Sequence, residues 1–270
     1  MSVWVLLPLL IPLASPPQES PPDLGRDIRE VRVQVGEVSV GALCTDGPRR
    51  VLLLQGDYPD AASWRPVLER LPSSIGACAY EWGTGVAEDE PESRGWFELL
   101  DQLRAIHAAL GFGPPYVLVG HGMGGLYARL YASDRRQDVG GLVLLEPAHE
   151  DLPALMLPAM PHTAWEAWME ERSRTNGHGV RESTLAERAR RARLPDIPVT
   201  VVTATRRSVP EDWDARFVNE AARQAHESIV RGLSAGRHVP ARTGGADIPR
   251  DEPSLVADEI ARVVRIARGP

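Results

Sequence analysis

Lysine is missing altogether: all 30 basic residues among the 270 are arginine. This is a matter of base composition and carries no mechanism. Positive charge is also in the minority. The 37 acidic residues leave a net charge of −7, which gives no affinity for phosphate backbones, so nucleic acid is not an expected partner. Cysteine occurs only as Cys44 and Cys78, and the seven histidines fall into no H-x-x-x-H or H-E-x-x-H spacing. Neither a metal site nor a cofactor is expected. No apolar run reaches the roughly 20 residues of a membrane-spanning helix. The longest, residues 3–14, is broken by Pro8 and Pro12. It has the length of a signal-peptide core, about 7–15 residues, with a small-residue exit at Leu13-Ala14-Ser15. Its positive charge is only the terminal amine. Residues 1–26 therefore read as a signal segment and Pro-rich linker, implying export to the periplasm or beyond. The competing reading is an apolar start of a cytoplasmic protein.

What is present is an ordinary globule, 43% hydrophobic and 25% charged. Its length suits one α/β domain, residues 27–270, with an insertion. Two strands, residues 31–35 and 38–44, are joined at Gly36-Glu37 as a hairpin. The short continuous apolar run at 51–54 reads as a strand buried on both faces, and 75–80, 116–119, 141–145 and 199–203 read as further strands. Between them lie helical stretches at 61–71, 96–110, 126–132 and 215–233, and a last one at 254–267. The penultimate element, 238–241, contains Pro240 and belongs at a sheet edge. Alternating units of this kind predict a mostly parallel sheet with helices on both faces. Residues 147–195 break the rhythm. They are rich in Pro and Met, carry helical stretches at 164–172 and 182–193, and read as a cap over the mouth of a site.

The most informative segment runs from Tyr116 to Arg129. An apolar strand enters a tight glycine turn, Gly120-x-Gly122-x-Gly124, and leaves as an amphipathic helix. This is the context of a G-x-S-x-G nucleophile elbow, with glycine where the serine belongs. A phosphate-cradling turn fits less well: the spacing is not G-x-G-x-x-G at the first strand, and no G-K-[ST] follows.

Four stretches resemble bacterial esterase-like members of the α/β-hydrolase superfamily. Residues 117–132 resemble "VLVGHSMGGLYARLYA" apart from Gly122, and Cys78-Ala-Tyr-Glu-Trp82 stands where such relatives carry "CAYDR". Residues 142–151 resemble "LVLVDPAHED". Residues 236–256 resemble "GRHV…GSGHxI…D.P..V". The resemblance covers about residues 31–264. It implies an α/β-hydrolase fold with a mostly parallel eight-stranded sheet and a small helical cap.

It also assigns roles. The nucleophile position is Gly122 and the general-base position Ala246, and neither residue can do that chemistry. The acid position, after the sixth strand, is Glu146, which only orients a histidine now missing. The oxyanion hole is made of backbone N–H groups, here those of Met123 and Asp57. His121 accompanies intact elbows and reads as structural. His238 opens its strand, at the end of the sheet away from the elbow. His149, after the sixth strand, is the one alternative base worth testing. In this fold the antiparallel second strand lies beside the fourth, so the resemblance pairs Cys44 with Cys78 in a disulfide if the protein is exported. Two buried free thiols are the alternative.

Losing nucleophile or base alone costs a serine hydrolase about 10⁶ in turnover, and losing both costs little more. The expected protein is thus a catalytically inactive hydrolase relative, binding a small apolar or acyl-bearing ligand. Trp82, Met156, Met160, Trp165 and Trp168 would line the pocket, or else pack cap against body. The competing readings are an active hydrolase of carboxylic esters with a non-standard constellation, such as water activated by His149 and Glu146, and a gene under decay.

Overall fold

The computed structural model describes residues 26–54, 56, 60–81, 96–173, 182–243 and 245–267. The leader read at residues 1–26, apart from Arg26, lies outside this set, as do Asp57 and Trp82. Eight strands form one sheet: β1 (Ile28–Val35), β2 (Val38–Thr45), β3 (Arg49–Leu54), β4 (Gly76–Tyr80), β5 (Tyr116–His121), β6 (Val139–Leu145), β7 (Val199–Thr203) and β8 (Gly236–Pro240). Their spatial order is β1-β2-β4-β3-β5-β6-β7-β8. Pairing is parallel from β4 onward through β8, and β2 runs antiparallel to both its neighbours. This is the α/β-hydrolase arrangement.

The continuous apolar runs have the burial they require. Val51, Leu52, Leu53 and Leu54 are all fully buried, because successive side chains of a central strand enter opposite cores. Leu52, Leu118 and Leu142 face one layer. There they meet α2 (Trp96–Ala109) and α3 (Met123–Asp134) through Leu103, Ile106, Leu126 and Tyr131. Val51, Val119 and Val143 face the other, against α1 (Arg65–Leu68) and α9 (Pro253–Ala267). Truncating any of these leucines to alanine would cost about 2–5 kcal/mol. Pro240 lies on β8, an edge strand that can spare the N–H it lacks.

Two expectations change in detail. The helix read over 61–71 is a 3₁₀ turn, Ala61–Trp64, followed by the single turn α1. Asp60 caps the 3₁₀ turn by accepting from Ala62 N–H at 2.7 Å, and Pro66, which lacks an N–H, suits the start of α1 and not a helix interior. His238 does not open its strand. β8 begins at Gly236, so His238 is its middle residue, and its ring reaches the end of β7.

Between β6 and β7 lie α4 (Leu152–Met156), α5 (His162–Ser173) and α6 (Glu182–Arg191). Met156 and Met160 are buried against Val218 and Ala221 of α7 (Ala215–Val230), with Trp165 partly buried beside them. These methionines fasten the insertion to the body. Leu185 and Ala189 of α6 join the core around α3. Cys44 faces Cys78 across the β2–β4 ladder, and the two are joined in a disulfide.

Candidate functional site

A tight turn at Gly122 joins β5 directly to α3. Gly122 has φ 54° and ψ −122°, a conformation that a side chain enters only under strain. Its N–H donates to Leu145 C=O at 3.0 Å. Its C=O accepts from Gly125 N–H at 3.0 Å and Ala148 N–H at 2.9 Å. The elbow is thereby tied to β6 and the loop that leaves it. The flanking glycines are demanded by contact. A Cβ on Gly120 would sit 2.3 Å from Gly124 O, and one on Gly125 would sit 2.7 Å from Pro147 Cβ.

Met123 opens α3, so its N–H has no partner within the helix. The chain after β3 folds against it: a Cβ on Gly56 would lie 2.4 Å from Met123 N. Met123 N thus lies at the turn with Gly56 packed against it, while Asp57, the other residue expected to supply an oxyanion N–H, is outside the described residues. The loop after β8 also reaches the elbow. His121 Nε2–H donates to Ala246 C=O at 2.9 Å, which puts residue 246 beside the residue preceding Gly122.

Glu146 follows β6 and holds a left-handed backbone, φ 44°, unusual for a residue with a long side chain. Its buried carboxylate accepts from Ala204 N–H and from the Arg207 guanidinium. Burial pushes its pKa above the ordinary value, while Arg207 and the Ala204 N–H pull the other way. Asn219 Oδ1 in turn accepts from both the backbone N–H and the guanidinium of Arg207, each at 3.2 Å. Sequence reasoning missed Arg207. The available signal was the Arg206-Arg207 pair just past β7, at the same sheet end as Glu146.

His149 has a different neighbourhood. Its Nδ1 accepts from Asp151 N–H at 3.1 Å, so the neutral ring carries its proton on Nε2, which donates to Ser228 Oγ at 3.1 Å. Burial and nearby Arg129 lower its pKa. Ser228 gives its own proton to Ala225 C=O at 2.6 Å. This serine–histidine contact therefore runs in the wrong direction for a nucleophile and its base. Arg129 and Glu150 form a bidentate buried pair beside it, both bonds 2.9 Å, tying α3 to the insertion.

A second polar cluster was also missed. His226 Nε2–H donates to Pro147 C=O at 2.9 Å, so its Nδ1 accepts from the Thr203 hydroxyl at 2.8 Å. Thr203 then accepts from His238 Nε2–H at 2.8 Å. The chain of bonds links the exit of β6, the end of β7, α7 and β8. No group of three or more His, Cys, Asp or Glu able to hold a metal ion occurs among the described residues. No helix among them is long and apolar enough to cross a membrane.

A glycine elbow after the central strand of such a sheet, with a loop from β8 returning to it, defines a hydrolase-type scaffold. The chain belongs to the alpha/beta hydrolase fold family, whose model matches residues 82–258. It is similar to the uncharacterized protein YqjL of Bacillus subtilis (strain 168). Identity is 23% over 196 residues, covering 72% of this chain and 75% of that protein. Among solved structures it is similar to a thermophilic esterase from Thermogutta terrifontis, with TM-score 0.60 and 18% identity, covering 88% of this chain and 99% of the other. It is also similar to the haloalkane dehalogenase DatA from Agrobacterium tumefaciens C58, with TM-score 0.59 and 12% identity, covering 91% and 99%. Likeness at this level shows the fold, and neighbours named for different reactions show why the site must be argued by itself.

Proposed function

We propose that this protein is a hydrolase-fold binding protein that does not turn esters over by the serine route, and that it holds a small apolar or acyl-bearing molecule at the elbow. The observation that carries the reading is Gly122 itself, which brings no side chain to the point where an acyl group would be taken up. Ala246 and the commitment of Glu146 to Arg207 support it. The Met123 N–H at the elbow is a donor suited to a ligand carbonyl or carboxylate. The Cys44–Cys78 disulfide agrees with an oxidising compartment, as export would provide.

Hydrolysis of p-nitrophenyl butyrate tests it. The purified protein should stay within about 10³–10⁴ of the uncatalysed rate, the residue left by binding and oxyanion donors. Gly122→Ser with Ala246→His should raise the rate at least 100-fold. Enzyme-like turnover by the unaltered protein overturns the proposal. The competing reading, water activated by His149 and Glu146, requires that turnover to vanish in His149→Ala and Glu146→Gln. The geometry disfavours it, since both His149 nitrogens are already engaged.

A further inference from the structure

At the β7–β8 edge of the sheet, a cavity of about 410 Å³ opens between α7, β8 and the loop after β7. It is within the range of small-molecule sites, about 300–1,000 Å³. Its walls include Thr203, Ala204, Thr205, Ala215 and Pro240, and three arginines stand around it, Arg206, Arg216 and Arg223. The one acidic residue lining it, Glu220, is paired with Arg223 at 2.5 Å, and Arg223 also pairs with Glu227. Arg206 and Arg216 have no acidic partner among the described residues. His238, which also lines it, donates to Thr203, and burial lowers its pKa while nearby Glu227 pulls the other way.

An apolar cleft with two guanidinium groups left without counter-charges has a defined chemistry. Its interior favours hydrocarbon, and its rim favours one anionic head group that a planar donor fork can grip. We infer that this cavity is a second binding site, distinct from the elbow, for a small molecule with an apolar body and a single terminal carboxylate. Arg206 and Arg216 hold the head group and the α7–β8 cleft holds the body. The site adjoins the Glu146–Arg207 pair. Ala204 lines the cavity while its N–H donates to Glu146, and Asn219 lines it while its amide oxygen holds Arg207.

Decanoate, decanol and decyltrimethylammonium serve as probes in calorimetric titrations, and a diazirine-bearing decanoate maps the site by photolabelling and peptide analysis. Decanoate should bind saturably, with label on residues 203–223 and 236–240. Decanol should bind at least tenfold more weakly, and the ammonium analogue not at all. Arg206→Gln with Arg216→Gln, both exposed positions, should weaken decanoate at least tenfold and leave decanol unchanged. Ala215→Phe, at the exposed start of α7, should fill the cavity and remove the label, with the melting temperature as a check on folding. The inference fails if decanoate does not bind, or if the arginine replacements leave its affinity intact. It also fails if the label lands only around residues 120–125 and 246, an outcome that would instead favour a ligand at the elbow.

Discussion

Replacing Arg207 by methionine isolates the ion pair that occupies Glu146. The two side chains are 11% and 10% exposed, so neither is well hydrated once its partner is gone. Breaking a buried pair costs about 3–5 kcal/mol, a large share of the roughly 5–15 kcal/mol that holds a domain folded. Of this, the hydrogen bonds of Arg207 to Asn219 and Ala204 account for about 1–2 kcal/mol at any pH. The rest is electrostatic and depends on pH. Burial already raises the Glu146 pKa, and removing Arg207 raises it further. A carboxyl group whose folded value is raised contributes stability in full below its ordinary value, about 4.5, and loses it as pH rises through the folded value. The Arg207→Met penalty should therefore be largest at pH 7.5 and shrink towards the hydrogen-bond remainder at pH 4.5. Urea unfolding followed by circular dichroism at both values measures it. Adding Glu146→Gln should recover about 2 kcal/mol or more at pH 7.5, because no buried charge is then left alone. A penalty equal at both pH values, or strictly additive single changes, would refute the idea that Arg207 neutralises Glu146.

Other consequences can be measured on the same protein. Arg207→Met added to Gly122→Ser/Ala246→His should increase p-nitrophenyl butyrate hydrolysis about tenfold beyond the double variant, since it frees Glu146 to orient the new imidazole. His107, buried between Tyr80 and Tyr116, has its pKa lowered to about 3 from the ordinary 6.5. Its contribution is present above 6.5 and lost as pH falls. Between pH 6.5 and 5 the unaltered protein should lose stability more steeply than His107→Gln, the excess slope rising from about 0.7 towards about 1.4 kcal/mol per pH unit. Gly120→Ala would press a methyl group against the Gly124 carbonyl and should cost at least about 1–3 kcal/mol in thermal unfolding. Replacing Cys44 and Cys78 by alanine, a separation of 34 residues, should cost about 3–4 kcal/mol on the loop-entropy estimate.

Much of this architecture is legible in the chain because its signals are local. The run 51–54 is apolar without interruption, as a strand covered on both faces requires, and the Val-rich stretch 199–203 reads as a strand; they lie inside β3 and β7 as expected. Gly120-x-Gly122-x-Gly124-Gly125 follows an apolar strand and precedes a helix, and three of these glycines have a positive φ or a contact that bars a Cβ. Pro240 pointed to an edge because it has no N–H to give.

That residues 122 and 246 carry neither a hydroxyl nor an imidazole is read from the sequence alone. The partners of the buried polar groups at this end of the sheet are not. Arg207 lies 61 positions from Glu146, and Thr203 shares its hydroxyl with histidines 23 and 35 positions away. No periodicity or spacing announces such pairs, because a buried charge or hydroxyl takes whatever partner the packed sheet end brings within reach. His149 stood out in the sequence as the one alternative base worth testing, and only folding shows its partners, the Asp151 amide and Ser228. Local conformation follows from a residue and its nearest neighbours in the chain, whereas the state of a buried polar group depends on solvent being excluded by parts of the chain far removed from it.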